Sequence, residues 1–316
     1  LYGALAEVFA RTTGFNRGLG GSMHAFFIPF GIMPKNAIVG GGAPIALGAA
    51  LYKRSNRKKG IVVANCGDGA CGRGPVLESF NFASMDQITQ LWDGGKGEGM
   101  PILFNVFNNH YGMGGQTRGE TMGYDMAARL GAGFNPTMMH AERVNGYDPL
   151  AVIDAVTRKK ELLVNGKGPA LLDVVTYRVS GHSPSDSSTY RTPEEIEAWK
   201  AADPIPAFKE KLIKGKIATE SEIGAIDSSI IDRMTEVIKL AINDDISPRM
   251  DLDKTPDAIS SIMFSNQKVH SMDPTRTAEM TKPREECDRL KEMATKVRTA
   301  KDANGKPVPK MKVYNI

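Results

Sequence analysis

Oxygen-bearing side chains follow two apolar runs of strand length in the first half of the chain. Asp68 comes in a glycine-flanked turn after residues 61–65, and Asn108 and Asn109 end the next such run. The carboxyl ends of parallel strands meet at one edge of a sheet, so a carboxylate, amides and the free carbonyl of Tyr111 are predicted to converge there. Mg²⁺ prefers such oxygen ligands and shares them with phosphate oxygens. The spacing therefore predicts a hard-cation site with room for a diphosphate.

The elements that must hold these turns alternate between strand-like and helix-like patterns. The predicted strands are Ile61–Asn65, Pro101–Phe107, Met138–Val144 and Leu171–Tyr177. The first predicted helix is Leu1–Thr12, which carries Leu1, Leu5, Val8 and Phe9 at helical spacing. The other predicted helices are a small-residue stretch ending near Tyr52, Pro75–Ala83, Asp125–Phe134, and a stretch after Pro149 with Leu150, Ile153, Val156 and Leu163 on its apolar face. Because the connections are short, we expect an α/β fold in three layers, with a parallel sheet covered on both faces.

A polar, serine-rich loop follows the last predicted strand. It runs from Ser180 to Tyr190 and contains His182 and Asp186. The carboxyl ends of strands are where α/β proteins place their sites, so the loop is a candidate part of this one. An isolated histidine in such a loop is ordinarily a solvent-exposed residue, and that alternative stays open from the residues alone.

A C-terminal helical segment is predicted after this loop. Thr192 can cap it, Pro193 suits the first helical position and Glu195 completes a capping box. The helical pattern continues to about Asp245, where we expect a terminal helical pair.

The hydrophobic pattern fades near the end of the chain. We therefore expect one α/β domain over residues 1–250 and a linker-like extension over residues 251–316, with a last strand or helix beginning within residues 313–316. The chain begins at Leu1 in what reads as mid-helix, so we expect a fragment or a processed chain.

Composition excludes several classes of protein. Hydrophobic residues make up 41% and charged residues 24% of the 316, which is typical of a globular domain, and no apolar run reaches the roughly 20 residues of a membrane span. The net charge of +4 is concentrated after Lys282, so we predict neither nucleic-acid nor membrane binding. Three cysteines suit a reducing compartment. Cys66 and Cys71 flank the Asp68 turn, but no neighbouring Cys or His completes a tetrahedral metal site, so buried thiols are the favoured interpretation.

With these motifs in order, the chain resembles the α subunit, or the α half of a fused chain, of the thiamine diphosphate-dependent E1 component of 2-oxoacid dehydrogenase complexes. The resemblance covers about Leu1 to Asp245 and includes the pyruvate, branched-chain and acetoin dehydrogenase group. It rests on GGSMH (20–24), IVGGGAPIALGAAL (38–51), GDGA (67–70), ESFN (78–81), NNHYGM (108–113), YRVSGHSPSD (177–186) and YRTPEEIE (190–197). A lone GDG is weak evidence, whereas this ordered set is specific.

The resemblance implies a role for each matching residue. Asp68, the Asn109 side chain and the Tyr111 carbonyl are expected to hold Mg²⁺, which holds the diphosphate of thiamine diphosphate. The implied cofactor contacts also include Gly69 and Ala70 through their backbone amides, Ala37 and Val39 beside the cofactor rings, and the active-site histidine His182. His24 matches a second histidine near the substrate. The residues implied to order the loop are Arg178, Asp186, Tyr190 and Arg191.

The implied activity is the oxidative decarboxylation of a 2-oxoacid, pyruvate or branched-chain, with transfer of the acyl group to a lipoyl group. The implied partners are an E1 β subunit or fused β domain in an α2β2 assembly, the lipoyl domain of E2, and a small 2-oxoacid. The expected location is the cytoplasm, or a mitochondrial or plastid matrix. The alternatives are an acetoin dehydrogenase E1α and a catalytically silent scaffold that binds cofactor or partner.

The chain departs from the family pattern in several places, and three of them favour the silent scaffold slightly: Gly72, the insert at 92–99 and the amino-terminal part that is expected before Leu1. Gly72 stands where relatives often have Asn or Ser, so one polar contact near the diphosphate is expected to be missing. Trp92–Gly99 reads as an inserted surface loop, and Ser180 replaces a histidine common in relatives. The amino-terminal part of the family pattern precedes Leu1. The C-terminal sequence KMKVYNI resembles the entry to a β subunit, which suggests a fused α–β polypeptide.

Overall fold

The fold is taken from a computed structural model that describes residues 1–89, 98–135, 139–262, 291 and 299–309. A parallel sheet of four strands lies at its centre. The strands are β1 (Val62–Gly67), β2 (Ile102–Asn108), β3 (His140–Asn145) and β4 (Ala170–Val175). Their order is β1-β2-β4-β3, and all three neighbouring pairs are parallel. Each was predicted within a few residues, and their carboxyl ends share one edge.

Helices connect the strands and extend the chain beyond them. Before and between the strands lie α1 (Tyr2–Val8), α2 (Gly42–Ser55), α3 (Asp68–Cys71), α4 (Gly74–Ser84), α5 (Asp86–Thr89), α6 (Ala127–Phe134) and α7 (Pro149–Val164). After β4 come α8 (Pro193–Ala201), α9 (Pro204–Lys214) and α10 (Glu220–Ile242). The expected terminal pair is therefore a set of three helices, because Asp203 and Thr219 each cap a new start.

Two hydrophobic cores, one on each face of the sheet, make the fold three-layered as predicted. Ile102, Phe104 and Val106 alternate along β2 and pack against α2, α4 and α6. Leu103 points the other way, where it joins Leu172 and α7 in the second core. This alternation follows from the two-residue period of a strand.

Two predicted helix faces are wrong. Leu1 and Val8, predicted to be on an apolar face, are exposed, and α1 buries Ala6 and Glu7 instead. On α7, three residues of the predicted face, Leu150, Ile153 and Val156, are also exposed, and only its fourth residue, Leu163, is buried. That helix buries a face of small and aliphatic residues with one lysine: Ala151, Val152, Ala155, Lys159, Leu162 and Leu163. The ammonium of Lys159 reaches Glu142 at 2.9 Å, so the lysine stem can pack while its charge is paired.

The predicted capping box at the start of α8 forms only in part. The Thr192 side chain accepts a hydrogen bond from the Glu195 amide at 3.2 Å. The Glu195 carboxylate instead accepts hydrogen bonds from tyrosine hydroxyls outside the helix. The reciprocal box occurs at the start of α10, between Thr219 and Glu222.

Within the C-terminal stretch, the structure describes a short antiparallel pair, β5 (Thr299–Lys301) and β6 (Pro307–Pro309). The predicted element at residues 313–316 and most of the predicted insert at 92–99 lie outside the described residues. Among the helices that are described, none has the length and apolarity needed to cross a membrane.

Candidate functional site

The first part of the site is the turn that ends β1. Asp68 follows Gly67 directly and begins the short helix α3. Its side chain is buried, with 1% of the residue exposed. Its Oδ2 accepts a hydrogen bond of 2.7 Å from the Thr117 hydroxyl. Its Oδ1 is buried without a hydrogen-bond partner among the described residues. Burial raises the pKa of this carboxyl, against the opposing effect of the Thr117 hydrogen bond.

The second part is the asparagine turn, which we define as residues 108–112. Gly67 is paired with Phe107 in the sheet, so this turn begins beside the Asp68 turn. A Cβ added to Gly69 would lie 3.3 Å from the Gly112 Cα, which shows that the two turns are in contact. The Asn109 Oδ1 accepts a hydrogen bond of 3.0 Å from the Tyr111 amide. His110 has a φ of 68°, a left-handed conformation that is uncommon outside glycine and gives the turn its tight bend.

A buried polar network fixes the base of the asparagine turn. The Asn108 Nδ2 donates to Asp173 Oδ1 at 2.9 Å and to the Asp125 carbonyl at 3.2 Å. Asp173 lies on β4 with no exposed surface, and its Oδ2 accepts from Arg143 Nε at 3.0 Å. Asn108 is therefore a structural anchor, whereas the Asn109 side chain remains at the edge of the sheet.

Arg178 lies against the outer side of the asparagine turn. Its guanidinium donates to the Gly112 carbonyl at 2.7 Å and to the Tyr111 carbonyl at 3.1 Å. A carbonyl oxygen has two lone pairs, so the Tyr111 carbonyl can accept this bond and still serve as a ligand.

The serine loop, residues 180–190, is held by its own polar groups. Asp186 Oδ2 accepts from the His182 amide and the Tyr190 hydroxyl, both at 2.7 Å, and its Oδ1 accepts from the Ser188 amide at 2.8 Å. These bonds, led by that of the His182 amide, lower the pKa of the Asp186 carboxyl to about 2. The His182 side chain is exposed.

A cluster of aromatic rings joins the serine loop to the asparagine turn. The Arg191 guanidinium lies 5.4 Å from the ring centroids of Tyr111 and Tyr177 and 5.5 Å from that of Tyr190. It also donates to the carbonyls of Arg178 and Ser180, both in the segment that enters the loop. All four residues expected to order the loop therefore lie in one connected network.

The glycine-rich segment before His24 is organised by Glu7, which the sequence did not single out. Glu7 is completely buried, and its carboxylate accepts from the amides of Asn16 at 2.7 Å, Gly18 at 2.9 Å and Gly20 at 2.5 Å. The His24 amide then donates to the Gly20 carbonyl at 3.1 Å. The one available signal was an acidic residue within an otherwise apolar helix.

Ala37 and Val39 are exposed, so the described chain encloses no pocket around them. The loop they occupy packs against the start of α4, because a Cβ at Gly40 would lie 3.1 Å from the Cβ of Arg73, the residue that precedes this helix. The departure at Gly72 has a steric explanation. A side chain there would overlap the Thr121 carbonyl oxygen, which occupies the space that Asn or Ser requires.

The donor set at the joined turns fits a hard cation. It comprises the partnerless carboxylate oxygen of Asp68, the amide oxygen of Asn109 and the backbone carbonyl of Tyr111, all oxygen ligands of the kind that Mg²⁺ prefers. Throughout the described part of the chain there is no group of three or more His, Cys, Asp and Glu that could hold a metal. Cys66 and Cys71 are free thiols. The neighbouring Cys66 thiol, followed by burial, raises the pKa of the Cys71 thiol.

The fold and the candidate site define an α/β protein that carries oxygen donors at the carboxyl edge of a parallel sheet. The family model described as "Dehydrogenase E1 component" matches residues 2–248. The chain belongs to this dehydrogenase E1 component family.

Several relatives are named as α subunits of pyruvate dehydrogenase. The probable pyruvate dehydrogenase E1 component subunit alpha, mitochondrial, of Caenorhabditis elegans is 36% identical over 264 residues, which cover 83% of this chain and 60% of that protein. The pyruvate dehydrogenase E1 component subunit alpha of Rickettsia bellii is 33% identical over 76% of this chain and 68% of its own length. The type I α subunit of Ascaris suum is 37% identical over 77% of this chain and 57% of its own length. The chain thus spans about three fifths to two thirds of these relatives.

Proposed function

We propose that this chain is the α part of an E1 component that decarboxylates a 2-oxoacid with thiamine diphosphate and Mg²⁺ and passes the acyl group to the lipoyl group of an E2 component. Membership of the E1 family and the names of the relatives support this function. The observation that carries it is the buried, partnerless Asp68 Oδ1 beside the asparagine turn. A buried carboxylate oxygen without a donor is costly, and a cation removes that cost.

In this proposal, Asp68, the Asn109 side chain and the Tyr111 carbonyl hold Mg²⁺. The backbone amides of Gly69 and Ala70, in the first turn of α3, face the diphosphate and donate to its oxygens. Ala37 and Val39 line the cofactor rings once a partner chain covers them, which accounts for their exposure here.

Thiamine diphosphate supplies, when bound, the nucleophile for the keto carbon of the substrate. The residues of the protein orient the substrate and transfer protons. His182 lies in the serine loop at the carboxyl edge, where its imidazole hydrogen-bonds the substrate oxygen and transfers a proton. Asp186 and Arg191 hold the loop in place for this. His24, positioned through Gly20 and Glu7, is the second proton-transfer or substrate-binding group.

The proposed assembly is an α2β2 E1, with the β part on a separate or fused chain, and its acceptor is the lipoyl domain of E2. Within this chain, residues 1–250 form the cofactor-binding domain and residues 251–316 a linker-like extension. The proposed location is the cytoplasm or an organelle matrix, as the bacterial and mitochondrial relatives suggest.

The test is the decarboxylation rate of the complete αβ assembly with pyruvate, a branched-chain 2-oxoacid and acetoin as separate substrates. We expect the highest rate with pyruvate, dependent on both thiamine diphosphate and Mg²⁺, and reductive acylation of an added lipoyl domain. Turnover of acetoin alone would assign the chain to acetoin dehydrogenase. If thiamine diphosphate and Mg²⁺ fail to bind even with the β partner present, the chain is a silent scaffold and the proposal is wrong.

A further inference from the structure

Glu195 lies where three parts of the molecule meet. It belongs to the first turn of α8, and its Oε1 accepts from the Tyr111 hydroxyl at 2.6 Å and from the Tyr177 hydroxyl at 2.9 Å. Tyr111 is part of the asparagine turn, and Tyr177 is two residues beyond the end of β4. One carboxylate oxygen thus ties a helix to the two chain segments that flank the site.

The environment makes these two bonds strong. Tyr177 is 7% exposed, and Tyr111 and Glu195 are both half-buried. Hydrogen bonds to an ionised acceptor are about twice as strong as neutral ones, and partial burial shields them from competing water. Trp199, one turn further along α8, stacks on the Tyr177 ring with centroids 4.9 Å apart and an interplanar angle of 5°, so the helix is held to Tyr177 at two points.

The same two tyrosines carry the serine loop. The Arg191 guanidinium lies 5.4 Å from both ring centroids, while its other contacts go to the Ser180 carbonyl at 3.1 Å and the Ser188 hydroxyl at 3.1 Å. Glu195 therefore holds the two tyrosine hydroxyls in place. The Arg191 guanidinium packs against the two tyrosine rings and binds the loop through hydrogen bonds.

We propose that Glu195 is a positioning residue that couples the asparagine turn to the serine loop through Tyr111 and Tyr177. Order in one of these two segments stabilises order in the other, because the Tyr111 and Tyr177 hydroxyls are both bound by the same Glu195 oxygen. For catalysis the inference rests on the proposed function: cation binding at the Tyr111 carbonyl then favours the ordered arrangement of the loop that carries His182, and an ordered loop favours cation binding to the same extent.

The test is hydrogen exchange of backbone amides in the full protein, measured first without added cofactor. In Glu195→Ala we expect exchange to rise about ten-fold both in residues 108–112 and in residues 180–190, since two charge-assisted bonds are lost. In Tyr177→Phe, which keeps the ring and removes one hydroxyl, we expect a rise of about three-fold in both segments. Glu195→Gln keeps an oxygen that accepts both bonds, so it should restore most of the protection.

The matched control is Glu194→Ala, which removes an exposed carboxylate from the same helical turn and should change exchange in either segment less than about two-fold. Exchange within α7 serves as the internal reference. A merely structural role for Glu195 predicts faster exchange in α7 as well, and that result would overturn the inference. So would faster exchange in only one of the two segments, or a Tyr177→Phe variant that behaves like the control.

A second measurement separates this inference from the proposed function. We expect thiamine diphosphate with Mg²⁺ to slow exchange of residues 180–190 in the wild-type αβ assembly, and this slowing to fall at least three-fold in the assembly with Glu195→Ala. No binding by the wild-type assembly would contradict the function but leave the cofactor-free coupling standing. Binding with unchanged loop protection in Glu195→Ala would contradict the coupling alone.

Discussion

Asp68 and Asp186 are the same residue type in two regions of the site, and their environments are opposite. Asp68 is buried at the end of β1, where burial raises the pKa of its carboxyl and one oxygen has no partner. Asp186 is in the serine loop, where three donors satisfy its carboxylate and lower its pKa to about 2. The comparison teaches that the described chain supplies hydrogen-bond donors to both oxygens of Asp186, whereas it leaves Oδ1 of Asp68 without a donor.

Asp173 sharpens this comparison because it is as buried as Asp68 but fully bonded. We expect Asp173→Ala to lower the free energy of unfolding by about 3–5 kcal/mol, since it leaves the Arg143 guanidinium and the Asn108 amide without their buried acceptor. Urea denaturation measures the loss. Asp154→Ala is the control and should cost less than about 1 kcal/mol, because Asp154 and its partner Arg158 are both exposed. Equal losses in the two variants would contradict the anchoring role of Asp173.

Asp68→Asn tests the incomplete carboxylate. We expect Mg²⁺-dependent binding of thiamine diphosphate to weaken on the order of 100-fold, because a charged ligand is lost. In the absence of cofactor, the variant should be at least as stable as the wild type, since its buried group carries no charge. Calorimetric titration and thermal unfolding measure the two effects. A strongly destabilised variant would show that the chain itself already satisfies the Asp68 carboxylate.

Thr117→Val is the matched control for this substitution, because it removes the hydrogen bond to Asp68 Oδ2 and leaves the charge in place. We expect cofactor affinity to fall about ten-fold, the effect of removing a group that orients a ligand. A larger effect from Thr117→Val than from Asp68→Asn would reverse the roles assigned to the two residues.

Arg191→Lys tests the buried anchor of the serine loop. Lysine keeps the charge but lacks the planar fork, in which Nη1 donates to the Arg178 carbonyl while Nη2 donates to the Ser180 carbonyl and the Ser188 hydroxyl. We expect hydrogen exchange in residues 180–190 to rise about ten-fold, with the sheet unaffected. If the loop keeps wild-type protection, the tyrosine rings alone hold it.

Asp186 gives the smallest expected effect, and one that depends on pH. Its pKa is about 2 in the folded protein against about 3.9 in an unfolded chain, so its contribution to loop order is complete above about pH 4 and is lost as the pH falls toward 2. Protection of the His182 and Ser188 amides should fall roughly three-fold across this range. Asp186→Asn should abolish the pH dependence. A dependence that persists in the variant would assign it to another carboxyl group.

The sequence predicted the sheet because its strands are apolar runs of the right length between turn residues, and the three-layer architecture followed from their alternation with helices. It failed on the apolar faces of α1 and α7. In both helices a buried charged residue replaces part of the expected apolar face: Glu7 binds loop amides, and Lys159 pairs with Glu142. Hydrophobic periodicity cannot predict that a charged residue is buried when the partner that satisfies its charge comes from another part of the chain.

The sequence placed Asp68 and the asparagine turn at one edge of the sheet, but it missed the residues that hold them. Thr117 is 49 residues from Asp68, and Asp173 is 65 residues from Asn108. Partners this far apart in the sequence form no short motif that sequence analysis could recognise, because only the folded chain brings them together. Glu195 was assigned to a local capping box for the same reason, and its tyrosine partners lie 84 and 18 residues away.

The central claim is that the joined turns after β1 and β2 bind a divalent cation through oxygen. The most direct test is a crystal structure of the protein with thiamine diphosphate and Mn²⁺ in place of Mg²⁺, using anomalous scattering to locate the metal. We predict one Mn²⁺ bound by Asp68 Oδ1, Asn109 Oδ1 and the Tyr111 carbonyl at about 2.0–2.3 Å. A metal bound by other residues, or a cofactor bound with no metal at these turns, would contradict the account.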